Sequence, residues 1–275
     1  MKHILFTADQ RYAVRIPIVV KSIQSVHPGT AFHIHLISDD VSDELKQKLV
    51  SFCEQYQYEF SCYSVPDSLF RDAPVNKHYS KAMYYRMLAP QILPTHIDKV
   101  LYLDPDVLVI NPLLPLWEVD MTECLFAAAS HTVEEGVVNK INRLRLQTSS
   151  IYFNTGVLMM NLELCRNAVS SERIFEFIQK NGQKFLLPDQ DVFNALFGER
   201  TLPLADEIWN YDVRNYSQVF LRSSGRINER WILRNTAILH YCGREKPWKE
   251  GYRYRFGNLY RHYERLSEID GWSLP

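Results

Sequence analysis

Two carboxylates two residues apart, Asp104 and Asp106, sit between two apolar runs, Val100-Leu101-Tyr102-Leu103 and Val107-Leu108-Val109-Ile110. Charged side chains are seldom buried unless they are paired or bind a metal. In extended chain, residues i and i+2 project to one side. Pro105 fixes its own φ and biases Asp104 toward extended geometry. Two carboxylates facing one way repel each other unless a cation lies between them, and such an oxygen donor set suits Mg²⁺ or Mn²⁺.

The elements that must position this pair alternate along the chain. Ile4-Leu5-Phe6 reads as a buried strand that runs into the polar Thr7-Ala8-Asp9-Gln10. Residues 13–26 place Ile16, Val19, Val20, Ile23 and Val26 at helical spacing, and Phe32–Ile37 alternates apolar residues with His33 and His35. Ser42 caps a helix over 43–57 with Asp43 and Glu44 in its first turn, and a further strand falls within 59–65. Strand-helix alternation predicts an α/β fold, a mostly parallel sheet with helices on both faces. A helix from Ser80 to Leu93, stopped by Pro94, precedes the acidic pair. Strands follow near Leu125–Ala129 and Tyr152–Asn161, then helices over 163–180 and Asp189–Phe197. A late strand, Ala237–Tyr241, leads into a basic and aromatic tail. Ligands of open α/β sheets bind beyond the carboxyl ends of strands, where Asp104 and Asp106 fall. The stretch 131–150 is polar and irregular, and reads as a long loop over the site.

The 275 residues suit one such domain, and 46% hydrophobic content excludes a disordered chain. A net charge of −1 provides no overall field for nucleic acid or an anionic bilayer. An anionic ligand must therefore be held by local charges or by a cation. Cys53, Cys62, Cys124, Cys165 and Cys242 are scattered and odd in number, which fits reduced thiols in a cytosol. The N-terminal apolar run is too short for a signal peptide, and no stretch of about 18 apolar residues predicts a membrane span.

Three readings share the Asp-x-Asp spacing. One is a solvated turn at a strand end. Another is the nucleophile motif of a haloacid-dehalogenase-type phosphatase, matched by Asp104-Pro105-Asp106-Val107. That chemistry needs a later Gly-Asp-x-x-x-Asp, and no Gly-Asp dipeptide occurs here. The third is the metal clamp of a nucleotide-sugar transferase, or of a non-catalytic protein that binds nucleotide sugars. The surrounding residues favour the third. In order, Phe6-Thr7-Ala8-Asp9, Tyr84-Tyr85-Arg86, Val100–Asp106, Tyr152-Phe153-Asn154-Thr155-Gly156-Val157, Pro188-Asp189-Gln190-Asp191, Trp209-Asn210 and His240-Tyr241-Cys242-Gly243 with Lys246-Pro247-Trp248 resemble glycosyltransferase family 8. That family includes bacterial lipopolysaccharide galactosyl- and glucosyltransferases and glycogenin, and the resemblance runs from Ile4 to about Trp248.

The resemblance implies a GT-A fold over residues 1–245 that binds a UDP-sugar, with 246–275 packed on or near the site. It implies a retaining transfer of glucose or galactose to a glycan or glycolipid, with Mn²⁺ or Mg²⁺ held by Asp104, Asp106 and His240. Two carboxylates and one imidazole suit Mn²⁺. By the same resemblance Ala8, Asp9 and Tyr12 meet the nucleoside, Lys246 binds the diphosphate, and Pro105 and Gly243 are among the residues that bind the nucleotide sugar. Asp9 can accept hydrogen bonds from base or ribose, or it can cap the following helix. Arg86, Asn154, Gly156, Asp189 and Gln190 fall on the sugar. Asp189 could instead be a helix N-cap, and Arg86 half of a surface ion pair. A double displacement would draw on Gln190, Asp189 or Asp191; front-side attack needs none of them. Acceptor contacts are expected from His78–Lys81, 131–150 and Trp209–Tyr216. The basic and aromatic tract 244–265 reads as a solvated helix or as a peripheral contact with the inner face of a membrane. Relatives often carry Asn where Arg11 stands.

Overall fold

The computed structural model describes residues 1–65, 81–130, 136–182 and 185–273. The strands are β1 (Lys2–Thr7), β2 (Phe32–Ile37), β3 (Glu59–Tyr63), β4 (Lys99–Leu103), β5 (Val107–Val109), β6 (Phe126–Ala129), β7 (Val157–Asn161), β8 (Thr201–Leu204), β9 (Tyr211–Asp212) and β10 (Ile238–His240). The α-helices begin with α1 (Gln10–Ala13), α2 (Ile16–Val26), α3 (Asp43–Glu54), α4 (Lys81–Ile92), α5 (Val137–Leu146) and α6 (Leu162–Ala168). They continue with α7 (Ser171–Asn181), α8 (Pro188–Phe197), α9 (Asp206–Trp209), α10 (Tyr216–Arg222), α11 (Glu229–Asn235) and α12 (Gly257–Ile269).

Among the described residues, a seven-stranded sheet runs β3-β2-β1-β4-β7-β6-β8. β7 is antiparallel to its neighbours β4 and β6, while the remaining pairs are parallel. Successive side chains of β1 face opposite layers, as strand geometry requires. Ile4 and Phe6 join Val19, Val20 and Ile23 of α2 and Leu45 and Leu49 of α3. Leu5 joins Leu88 of α4, Ile174 of α7 and Phe193 of α8. Each such side chain taken out of water contributes about 1.5–3 kcal/mol. Ser42 caps α3 as its sequence position predicts, its Oγ accepting from Leu45 N at 3.3 Å.

A second, three-stranded sheet, β5-β10-β9, is what brings distant residues together. β10 runs antiparallel to β5 with His240 opposite Val107, so a residue from the end of the chain lands beside Asp106. The tail folds back over this sheet. Tyr260 is buried with Tyr241, and Trp248, Tyr252 and Phe256 pack against them. α12 is pinned to the N-terminal half: Arg15 Nη1 meets Glu264 Oε1 at 2.9 Å, and Trp272 Nε1 donates to Val14 O at 3.1 Å. The aromatic residues of 244–265 are thus largely spent on packing, unlike a solvated helix.

Several expectations change. Asp104-Pro105-Asp106 is not extended: Pro105 and Asp106 form a turn that carries the chain from the large sheet into the small one. Proline's fixed φ suits the second position of such a turn as well as it suits a strand. The polar stretch 131–150 holds α5, whose apolar residues Val137, Val138, Ile141 and Leu144 face solvent. With its apolar side exposed, α5 leaves little core pattern to read. The strand expected at Tyr152 starts at Val157, because Phe153 N donates to a side chain, Asn194 Oδ1, at 2.6 Å. The expected helix 163–180 breaks into α6 and α7, and Ser170 caps the second. The segment 78–80, expected to touch the acceptor, and residues 131–135 lie outside the described residues.

Candidate active site

Asp104, Asp106 and His240 come together at the junction of the two sheets. Backbone bonds fix the acidic tripeptide at both ends: Asp104 N donates to Gly156 O at 2.8 Å, and Tyr241 N donates to Asp106 O at 3.0 Å. One ligand atom from each of the three side chains lies within 4.8 Å of the other two.

The neighbours decide which atoms remain available. Asp104 Oδ1 accepts from Arg86 Nη2 and Tyr102 Oη, both at 2.5 Å, which leaves Oδ2 toward His240 at 3.9 Å. Asp106 Oδ2 accepts from Lys246 Nζ, and its Oδ1 faces His240 Nε2 at 3.3 Å. For His240 the tautomer can be traced outward. Gly156 N donates to Asn154 Oδ1 at 2.9 Å, so that atom is the amide oxygen. Asn210 Nδ2 donates to the same oxygen at 2.9 Å, which turns Asn210 Oδ1 toward His240 Nδ1 at 2.8 Å. Nδ1 therefore carries a proton, and Nε2 faces Asp106 Oδ1. Burial disfavours the imidazolium, but Cys242 and Asp106 raise the His240 pKa well above its ordinary value, so an ion bound through Nε2 would displace a proton from it. Such an outer partner on the far ring nitrogen is the usual support of a metal-binding histidine.

Three donor atoms aimed at one place fit a divalent ion. Octahedral ligation at 2.0–2.1 Å needs neighbouring donors about 3 Å apart, so the 3.3 and 3.9 Å separations close with small side-chain rotations. Gly156 is part of the fit, since a Cβ there would lie 2.2 Å from His240 Cε1 and 2.7 Å from Asp104 Oδ2. The buried charges act on one another. Burial pushes the Asp104 carboxyl up, Arg86 opposes that, and the Asp106 charge adds to it. Burial also disfavours ionised Asp106, yet His240 and Lys246 outweigh it and hold that carboxyl below the usual range.

The remaining expected residues fall around this centre. Asp9 caps α1, with Oδ1 accepting from Tyr12 N at 2.9 Å, and Arg11 pairs with its Oδ2 at 3.2 Å. Ala8 is buried beside it, and Tyr12 stands edge-on to Trp248 with ring centres 6.0 Å apart. This contact joins the first loop to the Lys246 segment. Gly243 has φ +90°, and a Cβ there would lie 2.6 Å from Arg214 Nη1. Arg86 is not on the surface: it reaches Asp104, Tyr102, Thr155 Oγ1 at 2.5 Å and Asp189 Oδ2 at 3.4 Å. Asp189 lies inside the first turn of α8 rather than at the N-cap, which is Leu187. Gln190 Oε1 accepts from Asn154 Nδ2 at 3.1 Å. Asp191 is fully buried, gripped by Arg145 through two bonds of 2.6 and 2.7 Å and by Tyr152 Oη at 2.7 Å. Sequence reasoning gave no individual role to Tyr102, Thr155, Arg145 or Asn210, the last two falling only within segments expected to meet the acceptor. Three of them lie within the motifs that carry the family likeness, which was the available signal.

The sequence profile described as Glycosyl transferase family 8 matches residues 3–251. General stress protein A of Bacillus subtilis (strain 168) is 24% identical over 269 residues, covering 95% of this chain and 92% of that protein. Lipopolysaccharide 1,2-glucosyltransferase of Escherichia coli (strain K12) is 26% identical over 249 residues, covering 90% of this chain and 72% of that protein. The crystal structure of galactosyltransferase LgtC in complex with donor and acceptor sugar analogs superposes with a TM-score of 0.78 at 25% identity, over 99% of this chain and 97% of that one. The shared architecture is the GT-A fold. A profile that spans nearly the whole chain, together with that architecture, shows that the chain belongs to glycosyl transferase family 8 and is a glycosyltransferase.

Proposed function

We propose that the chain transfers glucose or galactose from a UDP-sugar to a glycan or glycolipid hydroxyl, with retention at the anomeric carbon and with Mn²⁺, or Mg²⁺ in its place, as the ion. The observation that carries this reading is the convergence of Asp104 Oδ2, Asp106 Oδ1 and His240 Nε2, while Asp104 Oδ1, Asp106 Oδ2 and His240 Nδ1 are held by Arg86, Lys246 and Asn210. An ion held there would neutralise charge on the departing diphosphate.

The chain's own residues do the rest. Lys246, whose burial is offset by Asp106, is a cation within reach of the same place and supplies a second counter-charge to phosphate oxygens. Arg86 and Asp189 hold sugar hydroxyls, and Asn154 and Gln190 form an amide pair beside them. Asp9, Ala8 and Tyr12 receive the nucleoside. The segment 246–275 thus belongs to the catalytic unit. Retention follows from front-side displacement. The bond from C1 to the phosphate oxygen breaks, the bond from C1 to the acceptor oxygen forms on the same face, and the acceptor proton passes to the departing phosphate oxygen. This route is favoured because the alternatives are engaged: Gln190 Oε1 accepts from Asn154, and Asp191 is locked on Arg145.

The exposed stripe of α5, with Val137 at 73%, Ile141 at 56% and Leu144 at 83% exposure, supports an acceptor with an apolar part, such as a glycolipid at the cytoplasmic face of a membrane. Leu186, at 74% exposure, precedes α8, to which α5 is tied by the Arg145–Asp191 pair. No helix among the described residues is long and apolar enough to cross a membrane. UDP release from a panel of UDP-sugars with Mn²⁺ tests the reading: one hexose donor should be turned over, and Asp106→Asn should slow it by about 10³-fold or more. Absence of release with every donor and acceptor, despite UDP binding, would make the chain a nucleotide-sugar-binding protein instead.

A further inference from the structure

A second group of metal-ligating side chains lies at the opposite end of the sheet. His3 on β1 and His33 on β2 are register partners, and His35 follows on the same face of β2. Asp9 follows the far end of β1, and four residues of strand from His3 to Thr7 span about 13 Å, so this group is separate from the site of Asp104, Asp106 and His240. His35 is fully buried. The rings of His33 and His35 stack with centres 4.0 Å apart, and His3 Nδ1 lies 3.0 Å from His35 Nε2. One ring nitrogen from each of the three lies within 4.8 Å of the other two.

The outer nitrogens are already partnered from β3. Glu59 Oε2 lies 3.2 Å from His33 Nδ1, and Tyr63 Oη lies 3.1 Å from His35 Nδ1. A carboxylate or hydroxyl on the far nitrogen is the support that metal-binding imidazoles ordinarily have. Packing alone gives no reason for three imidazoles here, where β-branched residues would fill a sheet face with no polar atoms to satisfy.

We propose that His3 Nδ1, His33 Nε2 and His35 Nε2 form a second metal site, selective for a borderline ion of the Zn²⁺ type, with water completing its coordination. Three imidazoles without a carboxylate select Zn²⁺, Co²⁺, Ni²⁺ or Cu²⁺ over Mg²⁺ and Mn²⁺, so the chemistry differs from that of the Asp-Asp-His site. Tetrahedral ligation at 2.0–2.1 Å sets neighbouring nitrogens about 3.3 Å apart, close to the present His3–His35 separation. The ion takes the place of the proton shared between those two nitrogens, and the ring that gives it up takes a proton on its outer nitrogen, so each imidazole stays neutral. His33 Nε2 gives up its 2.9 Å bond to Ser61 Oγ. The ion then ties β1 to β2, a structural role that does not depend on which sugar the enzyme transfers.

The test uses the full chain without an affinity tag, with Asp104→Asn and Asp106→Asn combined to silence the other site. Zn²⁺ calorimetry and Co²⁺ absorption spectra are measured. One equivalent of Zn²⁺ should bind, and Co²⁺ should give the intense visible bands of a tetrahedral site. Adding His3→Gln or His33→Gln should weaken binding by about 100-fold with the far-UV circular dichroism unchanged. Both positions are less buried than His35, so these variants carry the test even if His35→Gln does not fold. In the otherwise native chain, His33→Gln should leave UDP-sugar turnover within about twofold. No stoichiometric Zn²⁺ in the Asp104→Asn, Asp106→Asn chain would overturn the proposal, as would undiminished affinity in folded His3→Gln and His33→Gln variants.

Discussion

Gly156→Ala probes the convergence of donors with a single methyl. The added carbon would lie 2.2 Å from His240 Cε1, so the ring must retreat by about 1 Å to reach ordinary contact. It has little room to do so. His240 is 2% exposed, its backbone is paired with Val107, and its Nδ1 is bound to Asn210 at 2.8 Å. Asp104 Oδ2, 2.7 Å from the same methyl, is displaced as well. Metal ligands tolerate errors of about 0.2 Å, and a 1 Å misplacement at a reacting centre can cost about 100-fold. Mn²⁺ affinity, measured by calorimetry with UDP present, should fall by about 100-fold, and UDP-sugar turnover by at least as much. Overpacking should cost about 1–3 kcal/mol of stability, which scanning calorimetry reads as a melting point lowered by a few degrees. A folded Gly156→Ala chain with unchanged Mn²⁺ affinity and turnover would refute the reasoning.

Asn210→Ala removes the partner that fixes the His240 tautomer, and Mn²⁺ affinity should drop by about 10–100-fold in calorimetry with little change in melting point. Arg145→Ala leaves the Asp191 carboxylate buried without its ion-pair partner, which should cost about 3–5 kcal/mol near pH 7 in urea denaturation. In the native protein burial opposes ionised Asp191, but Arg145, Tyr152 and two backbone N–H groups lower its pKa. Its contribution is therefore present above the ordinary carboxylate range and is lost as pH falls through the folded value. In Arg145→Ala the folded pKa should instead rise above the unfolded one, so the penalty should shrink as pH is lowered toward 4. A penalty independent of pH would contradict that account. Mass spectrometry of enzyme quenched during turnover should find no glycosylated Gln190, Asp189 or Asp191; a stable adduct on any of them would replace front-side attack with double displacement.

Much of the fold was legible because its first half obeys simple periodicity. Ile4–Phe6, the Ser42 cap and the alternation of Phe32–Ile37 each reappear as β1, the start of α3 and β2. Legibility failed where tertiary contacts replace pattern. α5 exposes most of its apolar residues and is anchored mainly through polar groups, Arg145 on Asp191 and Asn139 on Tyr152 N, so its sequence reads as a polar loop. The turn at Pro105 was mistaken for extended chain because proline's fixed φ satisfies both. The acidic pair announced itself through two charges between apolar runs. The choice of His240 over the other histidines came from family likeness alone, since the β5–β10 pairing that seats it beside Asp106 has no local signal. Asn210 was hidden for a related reason: a neutral amide carries no charge pattern, and its importance lies in an orientation set by Asn154 and Gly156.

The most direct test of the central claim is pulsed electron paramagnetic resonance of Mn²⁺ bound in the presence of UDP. The expected spectrum carries ¹⁴N coupling from one directly bonded imidazole, lost in His240→Gln and accompanied by loss of tight Mn²⁺ binding in Asp104→Asn and Asp106→Asn. Tightly bound Mn²⁺ with no nitrogen coupling, or with coupling that survives in His240→Gln, would contradict it.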